Sequence, residues 1–313
     1  MKADLTYARF IQSRCQPLIQ AIRLHGQAMF SSSDPHHLHQ LRVSSRRLRN
    51  TLDVFDDILT SRHAKSWKRS IKTLGRVLSA ARDLDVQVQF LNNMLPQQTR
   101  RVQRQFFRGL ICDFVAQRKR FQPRILAAIH KIEAEQTLNE LEANLTQRAS
   151  RDQRPFRFLY TTARLKILQR VDKLLAYEPH VDHARAVDLL HKMRIANKRL
   201  RYSLETLRPV YSREIDGFLE KILFYHRTLG KMHDFDIWLL FLSRSKDLSR
   251  PLGDRQSLLA FREYCHQHRH EYYELFRAAW HRDRQQDMLE DLLSYLTSAA
   301  LFPPETKGEL HES

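Results

Sequence analysis

Apolar residues recur at helical spacing along almost the whole chain, as in Leu41, Leu48, Leu52 and Phe55, and again in Met193, Leu200, Leu204 and Leu207. Prolines fall between the periodic stretches, at Pro35, Pro96, Pro123, Pro155, Pro179, Pro209 and Pro251. Asp34-Pro35 reads as a helix start, with Asp as N-cap and Pro at the first helical position. The pattern predicts helices near 3–30, 35–59, 62–94, 97–121, 124–146, 154–177, 182–208, 211–246 and 256–297. Breaks are expected in the third and the eighth, and a loose tail from Pro303. The expected fold class is all-α.

Two segments repeat. Residues 39–52, HQLRVSSRRLRNTL, match 191–204, HKMRIANKRLRYSL, at six of fourteen positions and an offset of 152. Leu78-Ser-Ala-Ala-Arg-Asp-Leu-Asp-Val86 is echoed by Leu229-Gly-Lys-Met-His-Asp-Phe-Asp-Ile237 at an offset of 151. Two echoes in the same order at nearly equal offsets point to an internal duplication. The expected halves are residues 1–150 and 151–313, acting together as one functional domain.

Charge adds a partner to this picture. The chain carries 53 Lys+Arg against 35 Asp+Glu, a formal net charge of +18, and 39 of the cations are arginine. Arginine's planar fork suits phosphate and carboxylate recognition, so a polyanion is implied. On a helical wheel His39, Arg42, Arg46 and Arg49 share one face, opposite Leu41, Leu48, Leu52 and Phe55, over ~15 Å of axis. The second copy repeats the row with His191, Arg194, Lys198 and Arg201. Like charges at this spacing repel one another, and neither row contains an acid, so a bound anion would offset the repulsion. Lys65, Arg69, Lys72 and Arg76 form a further row, Arg101, Arg104 and Arg108 another, and Arg262, His266 and Arg269 a third. Arg227 is the match to Arg76 in the second half. The leading anion-binding candidates are the two first rows with Lys72, Arg76 and Arg227. Arg47, Arg69, Arg104, Arg108, Arg199, His266 and Arg269 are additional ones. Asp83, Asp85, Asp234 and Asp236 read as structural carboxylates that pair with Arg47 and Arg199, off the rows.

The same residues exclude several classes. Seven dispersed glycines cannot build a dinucleotide fingerprint or a P-loop, which need clustered glycines at the phosphates. Cys15, Cys112 and Cys265 form no CxxC pair, so neither a disulfide framework nor a cysteine zinc site is expected. The opening MKADLTYARF is charged and has no apolar core, so no signal peptide is expected, and uncharged stretches are too short to span a membrane. The expected location is the cytoplasm. Sixteen histidines include the clusters His36, His37, His39 and His266, His268, His270, but no HExxH or paired ExxH motif occurs, so no metal is expected. The closest strings to a phosphatase Arg-His-Gly are Arg23-Leu-His-Gly26 and Arg62-His-Ala64. No catalytic residue and no cofactor are expected.

The blocks His39-Gln-Leu-Arg-Val-Ser-Ser-Arg-Arg-Leu-Arg49 and Leu78 to Val86, with their second-half counterparts and the ending Leu200-Arg-Tyr-Ser-Leu-Glu205, resemble the CHAD domain, the conserved-histidine α-helical domain. Coverage is essentially the whole chain. The resemblance implies two four-helix bundles related by a pseudo-twofold axis, with a basic surface and central pore that bind inorganic polyphosphate. It also implies an association with polyphosphate granules. In relatives the domain is often fused to a triphosphate-tunnel catalytic module with an ExExK motif; the nearest string here, Glu133-Ala-Glu-Gln-Thr137, lacks the lysine. The chain is therefore expected to bind without catalysis. Ser79 departs from the family pattern, which has glycine there, and looser packing is expected at that point. Nucleic acid is the alternative ligand, since phosphate neutralisation is common to both. The rows lack interleaved aromatic residues for base stacking, and no nucleic-acid-binding motif occurs. A scaffold for an acidic protein partner is a third reading.

Overall fold

The computed structural model of this chain describes residues 6–32, 34–59, 61–211, 213–244 and 255–301. The tail from Pro303 lies outside the described residues. The fold is all-α: the described residues form no strand, only one isolated bridge between Thr6 and Pro155. They cluster into two compact units divided between Phe156 and Arg157.

The first unit holds α1 (Tyr7–Ser31), α2 (Pro35–Val54), α3 (Ala64–Met94), α4 (Arg101–Lys119), α5 (Gln122–Ala134) and α6 (Thr137–Arg151). Asp34 caps α2 as expected, its carboxylate accepting from the His36 amide at 2.8 Å, with Pro35 in the first turn. α2 lies between α1 and α3, and Leu38, Leu41, Leu48, Leu52 and Phe55 are completely buried. α6 packs on α1, and α4 and α5 pack on α3. α1 runs through Pro17 without a break. At the base of the unit Arg154 binds Asp57 and Asp152, and its guanidinium lies 4.4 Å from the Tyr7 ring centroid.

The second unit holds α7 (Phe158–Leu175), α8 (Val187–Leu207), α9 (Glu214–Arg244), most of α10 (Arg255–Gln285) and α11 (Met288–Leu301). α8 lies between α7 and α9, with Met193, Leu200, Leu204 and Leu207 fully buried, and α11 packs on α7 and α9. Aromatic contacts join α9 to α10: Tyr225 meets Phe276 and Trp280, and Trp238 meets Phe261. The Tyr225 hydroxyl donates to Asp283 at 2.6 Å, a carboxylate only 2% exposed that also faces Lys221.

The expected breaks fall elsewhere. α3 and α9 are each continuous over 31 residues. The breaks lie in the segments read as single helices over 124–146 and 256–297, at Gln136 (φ 49°) and Asp287 (φ 50°), 151 positions apart. Their bonding is the same. Each left-handed residue donates its amide three residues back, to Glu133 and Arg284, and accepts from the amide four residues on, Glu140 and Asp291. Apolar periodicity does not register one left-handed residue, because the next helix resumes on the same core.

Two of the four acidic candidates tie neighbouring helices together. Arg118 on α4 donates to Asp85 on α3 at 2.9 Å, and Arg269 on α10 donates to Asp236 on α9 at 2.5 Å. This corrects the expected partners of these two carboxylates: neither Arg47 nor Arg199 serves. Both arginines are exposed, and the charge of Arg47 acts toward Arg14 on α1. Asp83 and Asp234 sit two positions earlier, at exposed sites on α3 and α9.

Removing Asp236 leaves Arg269, whose side chain is 11% exposed, without its counterion. Asp236→Ala is expected to lower unfolding free energy by about 3 kcal/mol. Asp85→Ala, beside an Arg118 that is 19% exposed, should cost less, about 2 kcal/mol. Equal losses in denaturant titrations would contradict the ranking by burial. Tyr225→Phe deprives Asp283 of its shortest bond and should cost about 2 kcal/mol with the helix content unchanged.

Candidate functional site

In the first unit the burial of one side of α2 sets the opposite side outward. His39 and Arg49 are exposed, while Arg42 and Arg46 are half-buried. The Arg42 Nε is buried and has no hydrogen-bond partner. One charge interaction and one contact relate the row to α3. At one end the charge of Arg82 on α3 acts on His39. At the other, the Arg49 guanidinium lies over Gly75, with Nη1 3.6 Å from where a Cβ would stand. Arg49 therefore reaches the same turns of α3 that carry Lys72 and Arg76, both exposed. Arg69 is exposed one turn earlier.

Arg104 and Arg108 are exposed on α4. Arg104 donates to the Gln98 carbonyl at 3.4 Å, at the start of its own helix. No described contact brings either residue to the α2 row.

In the second unit His191, Arg194, Lys198 and Arg201 are all half-buried along α8. The same antiparallel register appears against α9: His191 faces His233 with Nδ1 atoms 3.0 Å apart, and the Arg194 Nε lies 3.8 Å from a Cβ built on Gly230. Arg201 lies over the Tyr202 ring at 4.4 Å and 3.5 Å from Glu205. Arg227 is exposed on α9, and His266 on α10. Arg269 belongs to the Asp236 pair.

The distance at Gly230 bears on Ser79, its counterpart in the first half. A Cβ at 3.8 Å from Arg194 would make an ordinary van der Waals contact. The glycine is not demanded by space, so Ser79 need not loosen the packing.

The histidines of both rows are held neutral. Although the His39 residue is largely exposed, partial desolvation of its ring takes it below the ordinary imidazole range, followed by the charges of Arg82, Arg42 and Arg46. His191 falls through burial, Arg194 and Lys198, against the opposing pull of Asp236 and Asp188. His233 drops to about 3 through burial, Arg194, His191 and Lys198. At neutral pH these rings are hydrogen-bonding groups among permanent cations. Arg82 and His233 were not among the residues nominated from sequence, although the repeat places both at one position.

The histidine cluster near the start of α2 gathers His25, His36 and His37, with the Nδ1 atoms of His25 and His37 3.1 Å apart. Among the described residues no group of three or more His, Cys, Asp or Glu is arranged to hold a metal ion. No described helix is long and apolar enough to cross a membrane.

Among curated proteins no match is found. Solved structures similar to the chain include two with high coverage. One is the CHAD domain from the plant Ricinus communis, 22% identical with a TM-score of 0.67, the match covering 90% of this chain and 93% of that one. The other is PptA from Streptomyces chartreusis, 15% identical with a TM-score of 0.56, covering 89% and 97%. These likenesses show a common fold. The family model for the CHAD domain matches residues 14–243, most of the chain and both basic rows, and the protein belongs to the CHAD domain family.

Proposed function

We propose that this protein binds inorganic polyphosphate through the basic faces of α2–α3 and α8–α9, without chemical turnover. The observation that carries this reading is the pair of acid-free rows, His39 to Arg49 and His191 to Arg201, each laid in the same register along a neighbouring helix. A row of cations over a rigid helix suits a ligand that repeats its negative charge. A single small anion would leave most of the repulsion uncompensated. The recurrence of register and of the left-handed residues at an offset of 151–152 supports descent of the two units from one duplicated segment. Membership of the CHAD family supports the choice of polyphosphate over other polyanions. Nucleic acid is the less favoured ligand, because no aromatic side chain stands on the row from His39 to Arg49 to stack on a base.

In competition at matched phosphate concentration and fixed salt, long polyphosphate should displace single- and double-stranded nucleic acid. It should bind about a hundredfold or more tightly than orthophosphate or ATP, since linked weak sites act at high effective concentration. Affinity should fall steeply with added salt. Equal affinity for short and long chains would sink the extended-row reading. Arg46→Glu combined with Lys198→Glu should abolish most binding while circular dichroism keeps the helical signal. Loss of folding in that variant would instead make these residues structural.

A further inference from the structure

His191 on α8 and His233 on α9 meet with Nδ1 atoms 3.0 Å apart and ring centroids 4.2 Å apart. At that distance one Nδ1 carries a hydrogen and the other accepts it. Two protonated Nδ1 atoms would point hydrogens at each other, so the contact exists only while at least one ring is neutral. The surrounding groups favour that state. Arg194 and Lys198 on α8 add positive charge, and Asp188 on α8 and Asp236 on α9 oppose it. Asp236 is itself engaged by Arg269 from α10. Burial and the two cations prevail, taking His191 below its usual range and His233 to about 3.

The first unit differs here. The position that corresponds to His233 is Arg82, a permanent cation whose charge acts on His39. One unit thus sets a fixed charge beside its row histidine, and the other sets a second imidazole.

We infer that His191 and His233 form a proton-accepting part of the second unit's anion site, bonded to each other when it is empty and parting as protonated donors when phosphate oxygens arrive. The inference rests on the polyphosphate reading above. The exchange is non-covalent and balanced. Each ring that turns to the ligand takes one proton from solvent, the Nδ1–H···Nδ1 bond is lost, and N–H···O bonds to phosphate replace it. An anion at the pair raises the affinity of both rings for protons, so the bound protein holds more protons than the empty one. Affinity therefore rises as pH falls through the bound-state values, by about tenfold per pH unit for each proton taken up. The rise ends only below the empty-state values, and for His233 that lies near 3.

The test is calorimetric titration of the full chain with long polyphosphate, whose terminal groups are too few to dominate the proton balance. It is run near pH 6.5, the ordinary imidazole value, in two buffers of different ionisation enthalpy. The wild type should take up protons, and its affinity should rise about tenfold or more between pH 8 and pH 6. His233→Arg should bind more tightly at the upper pH and show a flatter profile; His233→Gln should flatten the profile and stay weak. The remaining slope in both variants belongs to His191 and His39. Wild-type proton uptake retained in either folded variant overturns the inference, and so does pH-independent binding by the wild type, while the polyphosphate reading survives both. Absence of polyphosphate binding at every pH overturns the reading and the inference together.

Discussion

Repulsion among like charges on a single helix is the constraint around which both units are organised. Arg42, Arg46 and Arg49 stand three or four residues apart, the spacing at which side chains on a helix are neighbours. Each such repulsive pair costs only about 0.2–0.5 kcal/mol at an exposed site, whereas burying one leucine contributes about 1.5–3 kcal/mol. Leu41, Leu48 and Leu52 are completely buried on the far side of α2, and Leu200, Leu204 and Leu207 on that of α8. The core outweighs the rows, so the cations stay in place with no anion present. The helix is held by one side and charged on the other.

That arrangement succeeds only if the acids of the unit do not collapse onto the row. Asp85 and Asp236 show how this is avoided. Each sits on the helix beside the row and bonds outward, to Arg118 on α4 and to Arg269 on α10. These pairs are 33 residues apart in both units, so each tie joins two helices at the same place in its half. An acid committed to a helix–helix bond adds stability there and neutralises less of the row. Asp236 still reaches His191 electrostatically, but its influence is smaller than that of burial, Arg194 and Lys198.

The rows were legible in the sequence because they are periodic along one helix, and the apolar face that orients them is periodic too. The cap at Asp34 was legible because capping depends on residues next to each other. The break at Gln136 was not. A left-handed residue is usually announced by glycine, and glutamine carries no such signal. The fixed offset to Asp287 records the equivalence, but nothing in either residue type reveals its backbone. The partners of Asp85 and Asp236 were also hidden, since an ion pair between helices depends on packing register. The recurrence of Arg118 and Arg269 at the offset of the repeat was the available clue. For the same reason Arg82 and His233 escaped nomination: each matters through what the facing helix brings to it.

Fixed and titratable groups on these faces answer to different conditions. Arginines keep their charge across the ordinary pH range, so their attraction for a polyanion is governed by salt, which screens exposed charges within about 10 Å at moderate ionic strength. The imidazoles of His39, His191 and His233 lie among those arginines and are shifted toward the neutral form by burial first and by the neighbouring cations second. Each cation added to such a face increases the long-range pull on an anion and at the same time suppresses protonation of the nearest ring. The two effects oppose one another in the empty protein. With an anion on the face they would cooperate, because its charge would oppose the cations' share of the field acting on the rings. Neutral histidine among arginines is therefore a poor attractant and a responsive contact, and its strength is set by what has already bound.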